Sequence, residues 1–136
     1  MSNNLTIIIV TFNSSKIIGS CLEKIDFSKN EVIVVDNASL DDTTKIIQNN
    51  FPQVKLITLN KNIGYGRANN VALREVKTEF ALIPNPDAFL FENDIGKILS
   101  LCASDNKIGI AAPLLLPNYP AQDDDKIKQI QIAKTN

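Results

Sequence analysis

Residues 6–11 read Thr-Ile-Ile-Ile-Val-Thr, an unbroken β-branched run with no polar alternation. A strand with one wet face alternates apolar and polar residues, so a run of this kind belongs to a strand buried on both faces. Such strands sit in parallel sheets covered by helices above and below. Further strand-forming runs follow at Glu31–Val35, at Val54–Leu59, in the opening of Glu79–Asp87 and at Ile108–Ala112. Between them lie stripes at helical spacing: Ile17, Ile18, Cys21, Leu22 and Ile25, then Ile46 and Ile47, then Ala68, Val71, Ala72 and Val76, then Ile95, Ile98, Leu99 and Cys102. This alternation predicts an α/β chain: a doubly wound, mostly parallel sheet of about five strands with flanking helices and right-handed crossovers.

The expected helix starts follow from capping chemistry. Ser14 or Ser15 is placed to cap the first helix, Ser39 and Asp42 have capping-box spacing ahead of the second, and Asn93 or Asp94 precedes the fourth. After Pro113 the alternation stops. Residues 117–120 are turn-rich, and 123–136 support only a short, weakly amphipathic helix through Ile127, Ile130 and Ala133. One domain over 1–113 is therefore expected, with 114–136 as a tail, mobile or packed on a neighbour.

The 136-residue chain has a formal net charge of −1 and no long single-sign block, which argues against nucleic acid as a partner. It contains no histidine, which excludes Ser-His-Asp and Cys-His catalysis and disfavours a structural zinc. Acid–base work then falls to carboxylates and metal binding to oxygen ligands. Cys21 and Cys102 each lie in a helix stripe and read as core residues. Leu5–Val10 is too short to span a membrane and lacks the flanks of a signal peptide, so the expected location is cytoplasmic, or peripheral at the inner face of the membrane.

Four successive strands end in polar clusters: Thr11 with Asn13, Asp36 with Asn37, Asn60 through Gly66, and Asn85 with Asp87. Each alone is also ordinary turn chemistry. Together they fall where open α/β sheets bind ligands, beyond the carboxyl ends of the strands. An ionised Asp36 offers only acceptors and suits the imide N–H of a pyrimidine, with Thr11 on the same base or its sugar. Gly64-Tyr65-Gly66 opens a helix whose N-terminus favours an anion, and Arg67 adds fixed charge, so a diphosphate fits there. The segment lacks the third glycine of a dinucleotide fingerprint. Pro84 ends strand pairing and Pro86 keeps Asn85 extended, so Asn85 and Asp87 present oxygen ligands on one side, suited to Mg2+ or Mn2+ against phosphate.

In this order, Val-Thr-Phe-Asn (10–13), Val-Val-Asp-Asn-Ala-Ser-Leu-Asp (34–41), Asn-Ile-Gly-Tyr-Gly-Arg-Ala-Asn-Asn (62–70) and Asn-Pro-Asp (85–87) resemble the N-terminal half of a family 2 glycosyltransferase of the GT-A fold, in particular its rhamnosyltransferase-like members. The resemblance runs from about Thr6 to Pro113. It implies a nucleotide-diphosphate-sugar site formed by Thr11, Asn13, Asp36, Asn37, Asn62, Gly64, Gly66, Arg67 and Asn85, with Asp87 as the principal ligand of Mg2+ or Mn2+. It also implies inverting transfer from a dTDP- or UDP-sugar to a glycan or lipid-linked acceptor, as in cell-surface polysaccharide biosynthesis. The family's acceptor site and carboxylate base belong to a C-terminal half, so no residue here is assigned as the base, Asp123, Asp124 and Asp125 included. Self-association or a partner chain is the expected way to complete the site. The alternatives are a non-catalytic nucleotide-sugar-binding module or truncated remnant and, outside this family, a flavodoxin-like interaction domain.

Overall fold

The computed structural model of the chain describes residues 4–87, 92–112 and 130–134. Its elements are β1 (Leu5–Thr11), α1 (Ile18–Leu22), β2 (Glu31–Asp36), α2 (Thr43–Asn50), β3 (Lys55–Thr58), α3 (Tyr65–Leu73), β4 (Phe80–Pro84), α4 (Glu92–Ser104), β5 (Ile110–Ala111) and β6 (Ile130–Lys134). They form one sheet in the order β3-β2-β1-β4-β6-β5. The first four strands are parallel, as the sequence pattern requires.

β1 shows why an unbroken apolar run is needed. Leu5, Ile7 and Ile9 face a core that also takes Ile18, Cys21 and Leu22 of α1, Ile47 of α2 and Cys102 of α4. Ile8 and Val10 face the opposite core, which is closed by Ala68 and Ala72 of α3. Those two alanines are fully buried and let α3 approach the sheet closely. Each fully buried isoleucine of β1 contributes roughly 1.5–3 kcal/mol by leaving water.

The far side of the sheet departs from expectation. β6 pairs antiparallel with β4, from Phe80↔Lys134 to Pro84↔Ile130, and β5 pairs with β6 and not with β4. The helix expected over 123–136 is therefore replaced by a strand at 130–134. Ile-Gln-Ile-Ala-Lys fits period two as well as a helical stripe. The free edge of β4 decides between them, because its unpaired N–H and C=O groups need partners. The fifth strand is short and reaches the sheet only through β6. Residues 114–129 and 135–136 of the expected tail lie outside the described residues, as do Asp123, Asp124 and Asp125.

Capping also differs. α1 has Ile17 at its N-cap and no side-chain cap, and Ser14 serves through its carbonyl, which accepts the N–H groups of Ile17 and Ile18 at 3.0 and 2.9 Å. Asp42 occupies the N-cap of α2 without a capping bond and pairs instead with Lys45 at 2.8 Å. Asn93 and Asp94 lie inside the first turn of α4. In α3 the buried face holds Asn69, with Val71 only half-buried, and the helix ends at Leu73, short of Val76.

Candidate functional site

Four parallel strands bring four carboxyl ends to one edge. The register Thr11↔Asp36↔Thr58 aligns the last residues of β1, β2 and β3 across the sheet. The chain order reverses at β1, which has β2 on one side and β4 on the other. β1 pairs parallel with β4 from Leu5↔Phe80 to Ile7↔Leu82, so the end of β4 at Pro84, and Asn85–Asp87 after it, leave the sheet at the same edge as Thr11. A ligand crevice at such a switch point is the general rule for open α/β sheets.

Asp36 is 2% exposed, and its carboxylate is held from inside. Thr11 Oγ1 donates to Oδ1 at 2.9 Å, and the Ser39 hydroxyl donates to the same oxygen. The Ser39 N–H donates to Oδ2 at 2.9 Å. A carboxylate has about four lone-pair directions, so room for one more donor remains, on Oδ2. The backbone is wound tightly to reach this arrangement: Asn13 has φ 48° and Ala38 has φ 65°, both left-handed. Asparagine tolerates that region, whereas alanine is strained in it.

Asn37 is buried and joins the second loop to the third. Its Nδ2 donates to Asn62 Oδ1 at 2.9 Å, and its Oδ1 accepts the N–H of Ile63 at 2.9 Å. Asn62 Oδ1 also accepts the N–H of Gly64 at 2.9 Å. Gly64 then turns with φ 85° and ψ 158°, a conformation open essentially to glycine alone, and α3 begins at the next residue. Gly66 and Arg67 are exposed in the first turn of α3, where the opening N–H groups have no partner within the helix. A Cβ on Gly66 would meet nothing within 4 Å, so the backbone there is open to approach.

At the end of β4, Pro84 is buried, Asn85 half-buried and Asp87 exposed. Their donor set, one carboxamide and one carboxylate oxygen, matches a hard cation that shares its coordination with phosphate and does not match a closed protein cage. Among the described residues no cluster of three or more Asp, Glu, Cys or His could hold a metal by itself. No helix among them is long and apolar enough to cross a membrane.

The structure thus gathers Thr11, Asn13, Asp36, Asn37, Asn62, Gly64, Gly66, Arg67, Asn85 and Asp87 at one edge, in two kinds of setting. Thr11, Asp36 and Asn37 are buried and bonded to one another's loops. Asn13, Arg67 and Asp87 are exposed. Sequence reasoning makes Ser39 a helix cap and overlooks Asp41 and Thr43. All three instead bind the neighbouring loop. Their signal is the alternation Ser39-x-Asp41-x-Thr43, short side chains that bond to backbone groups.

Comparison with known proteins agrees with this geometry. The family model described as glycosyl transferase family 2 matches residues 6–130. The teichoic acid poly(glycerol phosphate) polymerase of Staphylococcus epidermidis is 30% identical over 119 residues, covering 82% of this chain and 16% of that protein. The poly(ribitol-phosphate) β-N-acetylglucosaminyltransferase TarS of Staphylococcus aureus is 36% identical over 93 residues, covering 62% of this chain and 16% of the relative. Among solved structures, the mannosyltransferase PcManGT of Pyrobaculum calidifontis, in complex with GDP-Man and Mn2+, superposes with a TM-score of 0.75 at 26% identity, covering 84% of this chain and 36% of that one. TarS residues 1–349 with UDP-GlcNAc superposes at 0.65 and 27% identity, covering 74% and 31%. The chain therefore spans about a sixth of these curated relatives and a third of these solved structures. With its four parallel strands, flanking helices and matched residues, the chain belongs to glycosyl transferase family 2.

Proposed function

We propose that this chain forms the donor-binding half of an inverting glycosyltransferase that takes a dTDP- or UDP-sugar and serves a glycan or lipid-linked acceptor. The observation that carries this reading is the convergence of Thr11, Asp36, Asn62–Arg67 and Asn85–Asp87 at one sheet edge. It is supported by relatives whose solved structures hold GDP-Man, UDP and UDP-GlcNAc.

The remaining acceptor direction on Asp36 Oδ2 suits the imide N–H of uracil or thymine, and Thr11, whose proton is committed to Asp36, fixes that carboxylate's orientation. Asn13 and Asn37 set the walls beside it. The first turn of α3 receives the diphosphate on its free N–H groups, Gly66 lets the backbone come close, and Arg67 balances charge on the leaving group. Asn85 and Asp87 would hold a divalent ion, Mg2+ or Mn2+, which would supply positive charge against the diphosphate leaving group. The base that deprotonates the acceptor hydroxyl is assigned to no residue of this chain. The donor unit, β6 included, works at the inner face of the membrane.

Thermal unfolding with UDP or dTDP, with and without Mn2+, tests the reading. A ligand at 100 times its dissociation constant adds about 2.7 kcal/mol of stability. Asp87→Ala is expected to abolish the additional shift that Mn2+ gives while leaving the unliganded stability within about 1 kcal/mol of wild type. An unchanged Mn2+ effect in that variant removes the metal role, and no shift with any nucleoside diphosphate removes the donor site.

A further inference from the structure

The four backbone N–H groups that follow β1 all meet side-chain oxygens. Phe12 donates to Ser14 Oγ at 3.3 Å, Asn13 to Ser39 Oγ at 2.8 Å, Ser14 to Thr43 Oγ1 at 2.8 Å and Ser15 to Asp41 Oδ2 at 3.0 Å. Three of these acceptors come from residues 39–43. The bond is returned once, by the Leu40 N–H to Asn13 Oδ1 at 2.8 Å. A surface loop ordinarily gives such groups to water, so this one is shaped by its neighbour.

The hydroxyls are aimed. A hydroxyl has one proton, and whatever takes it decides where the lone pairs point. The Thr43 hydroxyl gives its proton to Asp41 Oδ1, and the Ser39 hydroxyl gives its proton to Asp36 Oδ1. Each is thereby left as an acceptor for an amide of the first loop. The unit occurs twice: a carboxylate, a hydroxyl it orients, and an N–H across the gap. The Thr43 N–H adds a bond to Asp41 Oδ1 at 3.0 Å. Partial burial pushes the Asp41 carboxyl up, but hydrogen bonds from the Thr43 hydroxyl, from Ser15 and from the Thr43 amide more than reverse this and hold it well below the usual carboxylate range. Thr43 is 0% exposed and can touch no ligand. Whatever it does for a ligand site, it does through the loop.

We propose that Asp41 and Thr43 are positioning residues for the nucleotide pocket: together they fix the path of residues 12–15, and with it the placement of Thr11 and Asn13 beside Asp36. This rests on the donor-site reading above. It makes the two loops one preorganised body, so the ordering cost is met on folding and not on binding. It also accounts for the left-handed turn at Asn13, which swings the following N–H groups toward residues 39–43.

Thr43→Val keeps the shape and removes both the acceptor for Ser14 and the donor to Asp41; Thr43→Ser keeps both. In the full chain, two readouts are taken: amide hydrogen exchange at Ser14 and Ser15 without ligand, and the dissociation constant for UDP or dTDP with Mn2+. Thr43→Val is expected to speed exchange at both amides by about 10-fold or more while the β1 and β2 core amides are unchanged, and to weaken nucleotide binding by roughly 10-fold, the usual scale for one buried hydrogen bond. Thr43→Ser restores both values. Asp41→Asn gives the same pair of readouts at Ser15 if Thr43→Val lowers the folded fraction. Unchanged exchange overturns the brace, and faster exchange with an unchanged dissociation constant overturns its role in positioning. A wild-type chain that binds neither nucleotide overturns the donor-site reading, and the exchange data then judge the brace alone.

Discussion

The corner after β1 and β2 and the corner after β4 both end parallel strands in polar residues, and they use a carboxylate in opposite ways. Asp36 is nearly sealed from solvent and accepts from Thr11 Oγ1, the Ser39 hydroxyl and the Ser39 N–H. Asp87 stands exposed, beyond two prolines that prevent the chain from continuing the sheet or turning into a helix. Burial and bonding make the first carboxylate a fixed part of the fold with one direction left for a ligand. Exposure puts the second at the surface, where the proposed cation would reach it. Residue type and strand-end position do not separate these two carboxylates; burial does.

The largest expected effect breaks the comparison most directly. Asp36→Ala leaves two hydroxyls and an amide without their shared acceptor and is expected to cost about 3 kcal/mol of stability, together with nucleotide binding. Asp87→Ala, at an exposed position, is expected to change metal-dependent binding and to cost much less stability. Chemical denaturation of the two variants side by side measures the contrast. Equal, small losses of stability would mean that the Asp36 corner is no more structural than the exposed one.

A pair of glycine variants sharpens the contrast between shape and access. A Cβ has open space at both Gly64 and Gly66, so sterics predict that neither substitution matters. The backbone predicts otherwise. Gly64→Ala forces alanine into φ 85° and ψ 158° and is expected to cost roughly 1–3 kcal/mol. Gly66→Ala, inside the helix, is expected to stabilise by up to about 1 kcal/mol, yet to weaken UDP binding because the added methyl stands where the diphosphate approaches. A stabilised Gly66→Ala that binds UDP as well as wild type places the diphosphate elsewhere.

Much of this arrangement is legible in the sequence because it follows from repeating patterns. The unbroken run at Thr6–Thr11 requires burial on both faces, and β1 has it. Turn-forming residues at successive strand ends mark the edge where Asp36, Gly64 and Asn85 gather. Two parts are illegible for physical reasons. Ile130–Lys134 is too short to distinguish a period of two from one of 3.6, and its strand state depends on the free edge of β4, far away in sequence. The alternation Ser39-x-Asp41-x-Thr43 marks side chains that bond to backbone, but such residues are ordinary at a helix start, so it does not tell that the backbone they bind belongs to a loop 26 to 29 residues away.

Ala38 offers the smallest and finest test. At φ 65° an alanine bears roughly 1–2 kcal/mol of strain that glycine does not. Glycine returns about 0.5–1 kcal/mol through the greater freedom of its unfolded chain. Ala38→Gly is therefore expected to stabilise by about 0.5–1 kcal/mol, a rise of roughly 3 °C in Tm for a domain of this size. Binding decides what maintains the loop. The flanking Asn37 N–H bonds Thr11 O at 2.8 Å and the Ser39 N–H bonds Asp36 Oδ2 at 2.9 Å, so the path through residue 38 is fixed from both sides. Glycine should then leave the nucleotide dissociation constant within about twofold, since less than about 0.4 kcal/mol of preorganisation is lost. A larger loss of affinity in a more stable protein would show that the restricted alanine backbone, and not the bonds to Asp36, keeps the pocket ready for its ligand.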